Sequence, residues 1–207
     1  MKDCVFVVAD SQAEETFRGF FARPALQEIL GFRPFTFDII REPNSDPGVY
    51  NKAQELVRPF QRTHHHAIIV LDEAWKGSPG AEKIQDRILG NLVRTGWAEK
   101  HVAVVVIVPE LEAWILQDRQ PFRQVVGFTE PSIRPILTES GFWRENDAKA
   151  HAPKEAIEHI CRRSRTPQSG ALYRKIANQI SYRECVDENF RSLCSQLSTW
   201  FPAEAPQ

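Results

Sequence analysis

Residues 102–118 read VAVVVIVPELEAWILQD, and the fold turns on how this stretch changes period. Val102, Val104, Val105, Val106, Ile107 and Val108 show no polar alternation, as expected of a strand covered on both faces of a parallel sheet. Pro109 suits the first turn of a helix, and after it Leu111, Trp114, Ile115 and Asp118 fall on one helical face. A strand therefore gives way to a helix here, and in open α/β sheets ligands gather just past the carboxyl ends of strands. Two acids, Glu110 and Glu112, stand at that point. Residues two apart on a helix diverge by about 200°, so both cannot face one site from a regular helix; Glu110 either aims inward from the turn or favours the helix start.

Working outward, CVFVVAD (residues 4–10) and AIIVLDE (67–73) are apolar strands that also end in acids, Asp10 and then Asp72 with Glu73. Ser11 followed by Glu14 has capping-box spacing and opens a helix through Phe17, Phe20 and Phe21, with Pro24 a break and Gly31 a stop. RPFTFDII (33–40) reads as a strand, EPNSDPGVY (42–50) as a loop of turn residues, 50–60 as a helix and 81–93 as an amphipathic helix. The order β, α, β, α, β, α, β, α predicts a doubly wound, mainly parallel sheet with helices on both faces. Beyond Asp118 prolines punctuate an irregular stretch, and after Pro153 the pattern is helical to Trp200. An α/β core over 1–120 and a helical C-terminal portion over 121–207 are expected, with the last six residues a frayed tail.

The chain has 207 residues and a formal net charge of -1, so bulk electrostatics favours no nucleic-acid or membrane surface and any basic patch must be local. MKDCVFVVAD turns acidic too early for an export leader, and no apolar run approaches the roughly 20 residues that cross a bilayer. A soluble, cytoplasmic protein is expected. Cys4, Cys161, Cys185 and Cys194 form no CxxC pair and read as reduced thiols. No Walker-type glycine loop, GxSxG, HExxH or GxGxxG occurs, which removes the common triphosphatase, serine hydrolase, zinc protease and dinucleotide readings. His64, His65 and His66 alternate across a strand and cannot chelate one ion together.

Neighbouring parallel strands lie about 4.8 Å apart, so acids at their carboxyl ends can converge. Crowded carboxylates repel unless a cation neutralises them, and a hard divalent ion such as Mg²⁺ or Mn²⁺ does so while bridging to a phosphate oxygen. Arg162, Arg163, Arg165, Arg174 and Lys175 lie in an acid-free run and suit phosphates, or form a solvated helix face. Lys154 follows Pro153 at a helix start, where anions are welcome. Tyr173 is a candidate for base stacking, and Trp114 reads as core.

In chain order, an acid after strand one, VLDE, PELEAWILQD, APKEA, the Tyr and Lys of LYRKIANQI, and ENFRSLCSQL resemble the small prokaryotic TOPRIM-like proteins. These relatives of the topoisomerase-primase fold often accompany defence or mobile-element systems, and the likeness spans nearly the whole chain. It implies metal-dependent phosphodiester cleavage of nucleic acid, with Asp10, Asp72 and Glu112 around the cation and Glu14, Glu73 and Glu110 as second choices. The chain departs from the family pattern twice: VVAD stands where VVEG is typical, and Asp72-Glu73-Ala74 where Asp-x-Asp is typical. The departures suit an alternative, a degenerate TOPRIM-like subunit that binds a partner protein or nucleic acid without cutting.

Overall fold

The chain, described as a computed structural model over residues 1–183, 185 and 187–203, is an α/β protein around a four-stranded, all-parallel sheet. The strands are β1 (Lys2–Val8), β2 (Phe37–Arg41), β3 (His64–Asp72) and β4 (Val102–Ile107), in the spatial order β2-β1-β3-β4. β1 leads to β2 on one side of it, and the chain then crosses to place β3 on the other. The topological switch point therefore lies between the carboxyl ends of β1 and β3, where such sheets hold their ligands.

Period two on β1 sorts the core into two layers. Cys4, Phe6 and Val8 point to one face and Val5 and Val7 to the other, and all five are fully buried. The second face is covered by α3 (Ser45–Val57) and α4 (Ala81–Arg94), through Val49, Ala53, Val57, Ile84, Ile88 and Leu92. The first is covered by α1 (Ser11–Phe21) and α2 (Pro24–Ile29), and by helices from beyond β4. Those are α5 (Glu112–Ile115), α6 (Gln120–Val125), α7 (Arg134–Glu139), α8 (Pro153–Arg163), α9 (Gly170–Gln179) and α10 (Glu188–Trp200). Ile157, Tyr173, Ile176 and Leu197 from these helices share one continuous cluster with Phe6 and Ile68 of the sheet.

Phe6 is the centre of that layer, with the rings of Phe17, Phe21, Phe35 and Phe37 at 5.3–6.3 Å. Helix α9 lies tightly on α1, and Gly19 makes the approach: a Cβ there would stand 2.3 Å from the Arg174 carbonyl oxygen. Among the described residues no helix is long and apolar enough to cross a membrane.

Several boundaries differ from the sequence reading. The N-cap of α1 is Asp10, not Ser11; Asp10 Oδ1 accepts the Ala13 N–H at 2.8 Å. Glu14 instead pairs with Arg18 at 2.9 Å, so the capping-box spacing there is coincidental. The Val108–Pro109 peptide is cis, and helix begins only at Glu112. The EPNSDPGVY loop is mostly helix, since α3 starts at Ser45. Of the expected frayed tail, Pro202 bridges Phe32 and the Ala203 N–H donates to Gly31 at 3.2 Å. Residues 204–207 lie outside the described residues.

Candidate active site

The carboxyl ends of β1 and β3, the turn after β4 and the start of α8 meet around a void of about 20 Å³, the size of one or two waters. Asp10, Asp46, Asp72, Glu112 and Lys154 line it, above a floor of Val70, Leu71 and Ile107. Sequence placed four of these five polar groups; Asp46 it did not, because Asn44, Asp46 and Gly48 read as turn chemistry. The signal was present nonetheless. Asp46 is also an acid just past a strand, β2, at the same sheet edge.

Asp46 Oδ1 accepts the Asp72 N–H at 2.8 Å and so fixes the backbone at the end of β3. Burial raises the Asp46 carboxyl, the charge of Asp10 adds to this, and the Asp72 N–H opposes it. Asp72 is held well above the usual carboxylate range, first by burial, then by Asp46, Glu112, Glu110 and Asp10.

Glu112 is only 3% exposed. Its Oε1 accepts the Tyr173 hydroxyl at 2.6 Å, and Gln168 Nε2 donates to that same hydroxyl at 2.8 Å. Burial raises the Glu112 carboxyl despite this donor. Tyr173 is fully buried, so it orients a carboxylate and offers no face to a base. Burial and the neighbouring Glu112 together push its own phenol up.

Glu110 sits in the non-helical turn, half-buried, and its Oε1 accepts the Lys154 backbone N–H at 3.0 Å. Burial and then Glu112 push its pKa up to about 7. The Lys154 ammonium is exposed at the mouth; burial lowers its pKa, but Glu112, Glu110, Asp72 and Asp10 outweigh this and raise it. The site therefore carries its own positive charge, and Lys154 is an internal counter-ion to the acids.

Glu73 donates its N–H to Ile107 and Pro109 carbonyls at 2.8 and 3.2 Å, joining β3 to the turn after β4, and does not line the void. Glu14 faces Arg18 and Arg41. Of the basic run, Arg163 pairs with Glu130 at 3.2 Å and Arg174 with Glu15 at 3.4 Å. Arg162 and Arg165 border a separate open groove, and Lys175 is exposed.

The donor set fits a hard divalent cation in chemistry: carboxylate oxygens around a water-sized void. As the side chains stand, among the described residues no three His, Cys, Asp or Glu groups are gathered closely enough to hold an ion. The chain matches no protein-family model, no curated protein and no solved structure.

Proposed function

We propose that this chain is a TOPRIM-like protein of a prokaryotic antiviral defence system that cleaves phosphodiester bonds of nucleic acid with Mg²⁺ or Mn²⁺. The observation that carries the reading is the meeting of Asp10, Asp72 and Glu112, from three separate segments, at one void over the switch point of the sheet. The defence setting rests on the sequence resemblance alone.

Asp10, Asp72 and Glu112 would hold the ion. When bound, it supplies Lewis acidity, polarising a phosphoryl oxygen and acidifying water. Everything else falls to the chain. Lys154 gives a charged donor at the mouth for a non-bridging phosphate oxygen. Tyr173 and Gln168 hold Glu112 in one orientation. One carboxylate of the site would take a proton from the attacking water. Exposed Arg162, Arg163, Arg165, Arg174 and Lys175 supply further charge for a strand.

Purified protein incubated with DNA or RNA and Mn²⁺ is expected to cut, and Asp72→Ala and Glu112→Ala should each lower the rate by at least about 100-fold. Cleavage unchanged in both variants would sink the mechanism. The open spacing of the carboxylates, with Lys154 among them, favours a second reading: a degenerate subunit that binds a partner protein or nucleic acid without cutting. Calorimetry showing no heat of Mg²⁺ or Mn²⁺ binding at millimolar concentration selects that reading.

A further inference from the structure

A second cavity, of about 280 Å³, opens beside the same α5, between that helix, the α7 start and the segment before α8. Its lining carries both signs: Arg119, Arg134 and Lys149, and Asp118, whose carboxylate accepts from Arg123, Ser132 and the Ile133 N–H. Arg134 lies over the indole of Trp143, guanidinium carbon 4.8 Å from the ring centroid, and its Nη2 donates to the Asp147 carbonyl that also takes the Trp143 indole N–H. The guanidinium is thus held over an aromatic floor. Among the described residues its Nε and Nη1 carry no hydrogen bond, and these N–H groups, on separate edges of the plane, are left for an anion.

Lys149 lines the same cavity and is anchored to Asp187 at 2.6 Å. Asp187 caps α10 through the Asn189 and Phe190 N–H groups and also accepts from Trp114 Nε1. Its acceptor capacity is therefore shared, and Lys149, one N–H spent on it, turns its other donors to the cavity. A bare phosphate needs no more than these two cations. The cavity is much larger than that, and Leu116 and Trp143 add apolar wall. In that wall Gln117 donates through Nε2 to the Ser181 carbonyl at 2.8 Å.

We propose that this cavity binds a nucleotide unit, its phosphate on Arg134 and Lys149 and its base against the Arg134–Trp143 stack. Bases stack readily on arginine planes and on aromatic rings. The inference needs neither metal nor cleavage and stands apart from the acid-lined site.

The test is calorimetry in EDTA with AMP, ribose 5-phosphate and inorganic phosphate as probes. AMP is expected to bind at submillimolar concentration, with ribose 5-phosphate at least about tenfold weaker and phosphate weaker still. Arg134→Gln should weaken AMP by about tenfold or more with the circular dichroism spectrum unchanged. If Arg134→Gln does not fold, Lys149→Gln, which keeps a donor for Asp187, serves in its place. Competition by an octa-adenylate distinguishes the source: displacement of AMP assigns the cavity to a strand, and no displacement to a free nucleotide. AMP that gives no heat at several millimolar overturns the proposal. So does AMP that binds no better than phosphate, or binds equally to both folded variants.

Discussion

Around the short helix α5 the chain builds two cavities. One, of about 20 Å³, is walled by four carboxylates and one ammonium; the other, of about 280 Å³, by Arg119, Arg134, Lys149, Gln117 and a single carboxylate, Asp118, beside indole. Leu111 and Glu112 serve the first, and Ala113 and Trp114 the second. The acid-lined cavity stands at strand ends, where neighbouring backbones are locked by the ladder, so small side chains project from fixed points. The basic one stands between helices and irregular segments, and it depends on long side chains pinned by their own contacts. One site takes its precision from the sheet, and the other from side-chain anchoring.

The sharpest way to break this division is a crossed pair of substitutions. Glu112→Gln should remove metal-dependent cleavage, at least about 100-fold, and leave AMP binding within about twofold. Arg134→Gln should do the reverse to AMP and spare cleavage of short substrates. If Glu112→Gln also abolishes AMP binding, the two cavities are one site and the division fails.

Next in size is Gly19→Ala. The added methyl meets the Arg174 carbonyl oxygen at 2.3 Å, a backbone atom that cannot rotate away, so α9 must move off α1. Overpacking of this kind costs about 1–3 kcal/mol. Tyr173 rides on α9 and would carry its hydroxyl away from Glu112. Denaturant melts should show the loss of stability, and cleavage should fall with it while AMP binding is retained. A variant as stable as the parent would show that the α1–α9 contact is softer than its geometry implies.

Tyr173→Phe isolates that hydroxyl. A hydrogen bond to a charged group is worth about 1.5–3 kcal/mol, and its loss leaves a carboxylate that is 3% exposed with one donor fewer. The expected result is lower stability and a rate reduced by about tenfold. An unchanged melting midpoint at pH 8 would mean that Glu112 finds another donor.

How much of this was legible follows the same division. The α/β class and parallel sheet could be read from β-branched runs broken by helical periods, and the faces of β1 from simple alternation. Asp10 and Asp72 could be named because a strand end is a fixed place, and Glu112 was preferred over Glu110 through the resemblance of PELEAWILQD. Asp46 was hidden by its own chemistry: an Asp in a Pro- and Gly-bearing stretch has a sufficient local explanation as a turn former. Tyr173 was misjudged for a related reason, since a phenol reads as a surface platform until its burial is known. Arg134, Trp143 and Lys149 carry no period, lying in the proline-punctuated stretch, so only packing could bring them to Gln117.

Acid–base behaviour separates the cavities again. In the folded chain Glu110 holds its proton to about pH 7, whereas the unfolded chain releases it near 4.5. Between those values the folded state binds more protons, so stability falls as pH rises through the window. Asp72, Glu112 and Asp46 are raised as well and act in the same direction. The metal-free protein should therefore melt at a lower temperature at pH 8 than at pH 5, and millimolar Mn²⁺ should recover part of the difference. A melting temperature that rises across this window would show that the opposite effect of His66, which burial and then His101 push down to about 4, outweighs that of the acids.

The smallest effect belongs to the exposed basic run, outside both cavities. Arg174 is tied to Glu15 and Arg163 to Glu130 in surface pairs worth about 0–1 kcal/mol, so Lys175, exposed, is the cleaner probe. Lys175→Ala should leave the melting temperature and AMP binding unchanged, because it touches neither the core nor either wall. If a strand crosses this surface on its way to the acids, the variant should bind an oligonucleotide more weakly. The slope of log affinity against log salt should then fall by about 0.7–0.9, the loss of one phosphate contact. A slope unchanged by Lys175→Ala together with Arg162→Ala would make the run a solvated helix face. The charge that guides a strand would then reduce to Lys154 and the Arg134–Lys149 pair, placing recognition in the two cavities themselves.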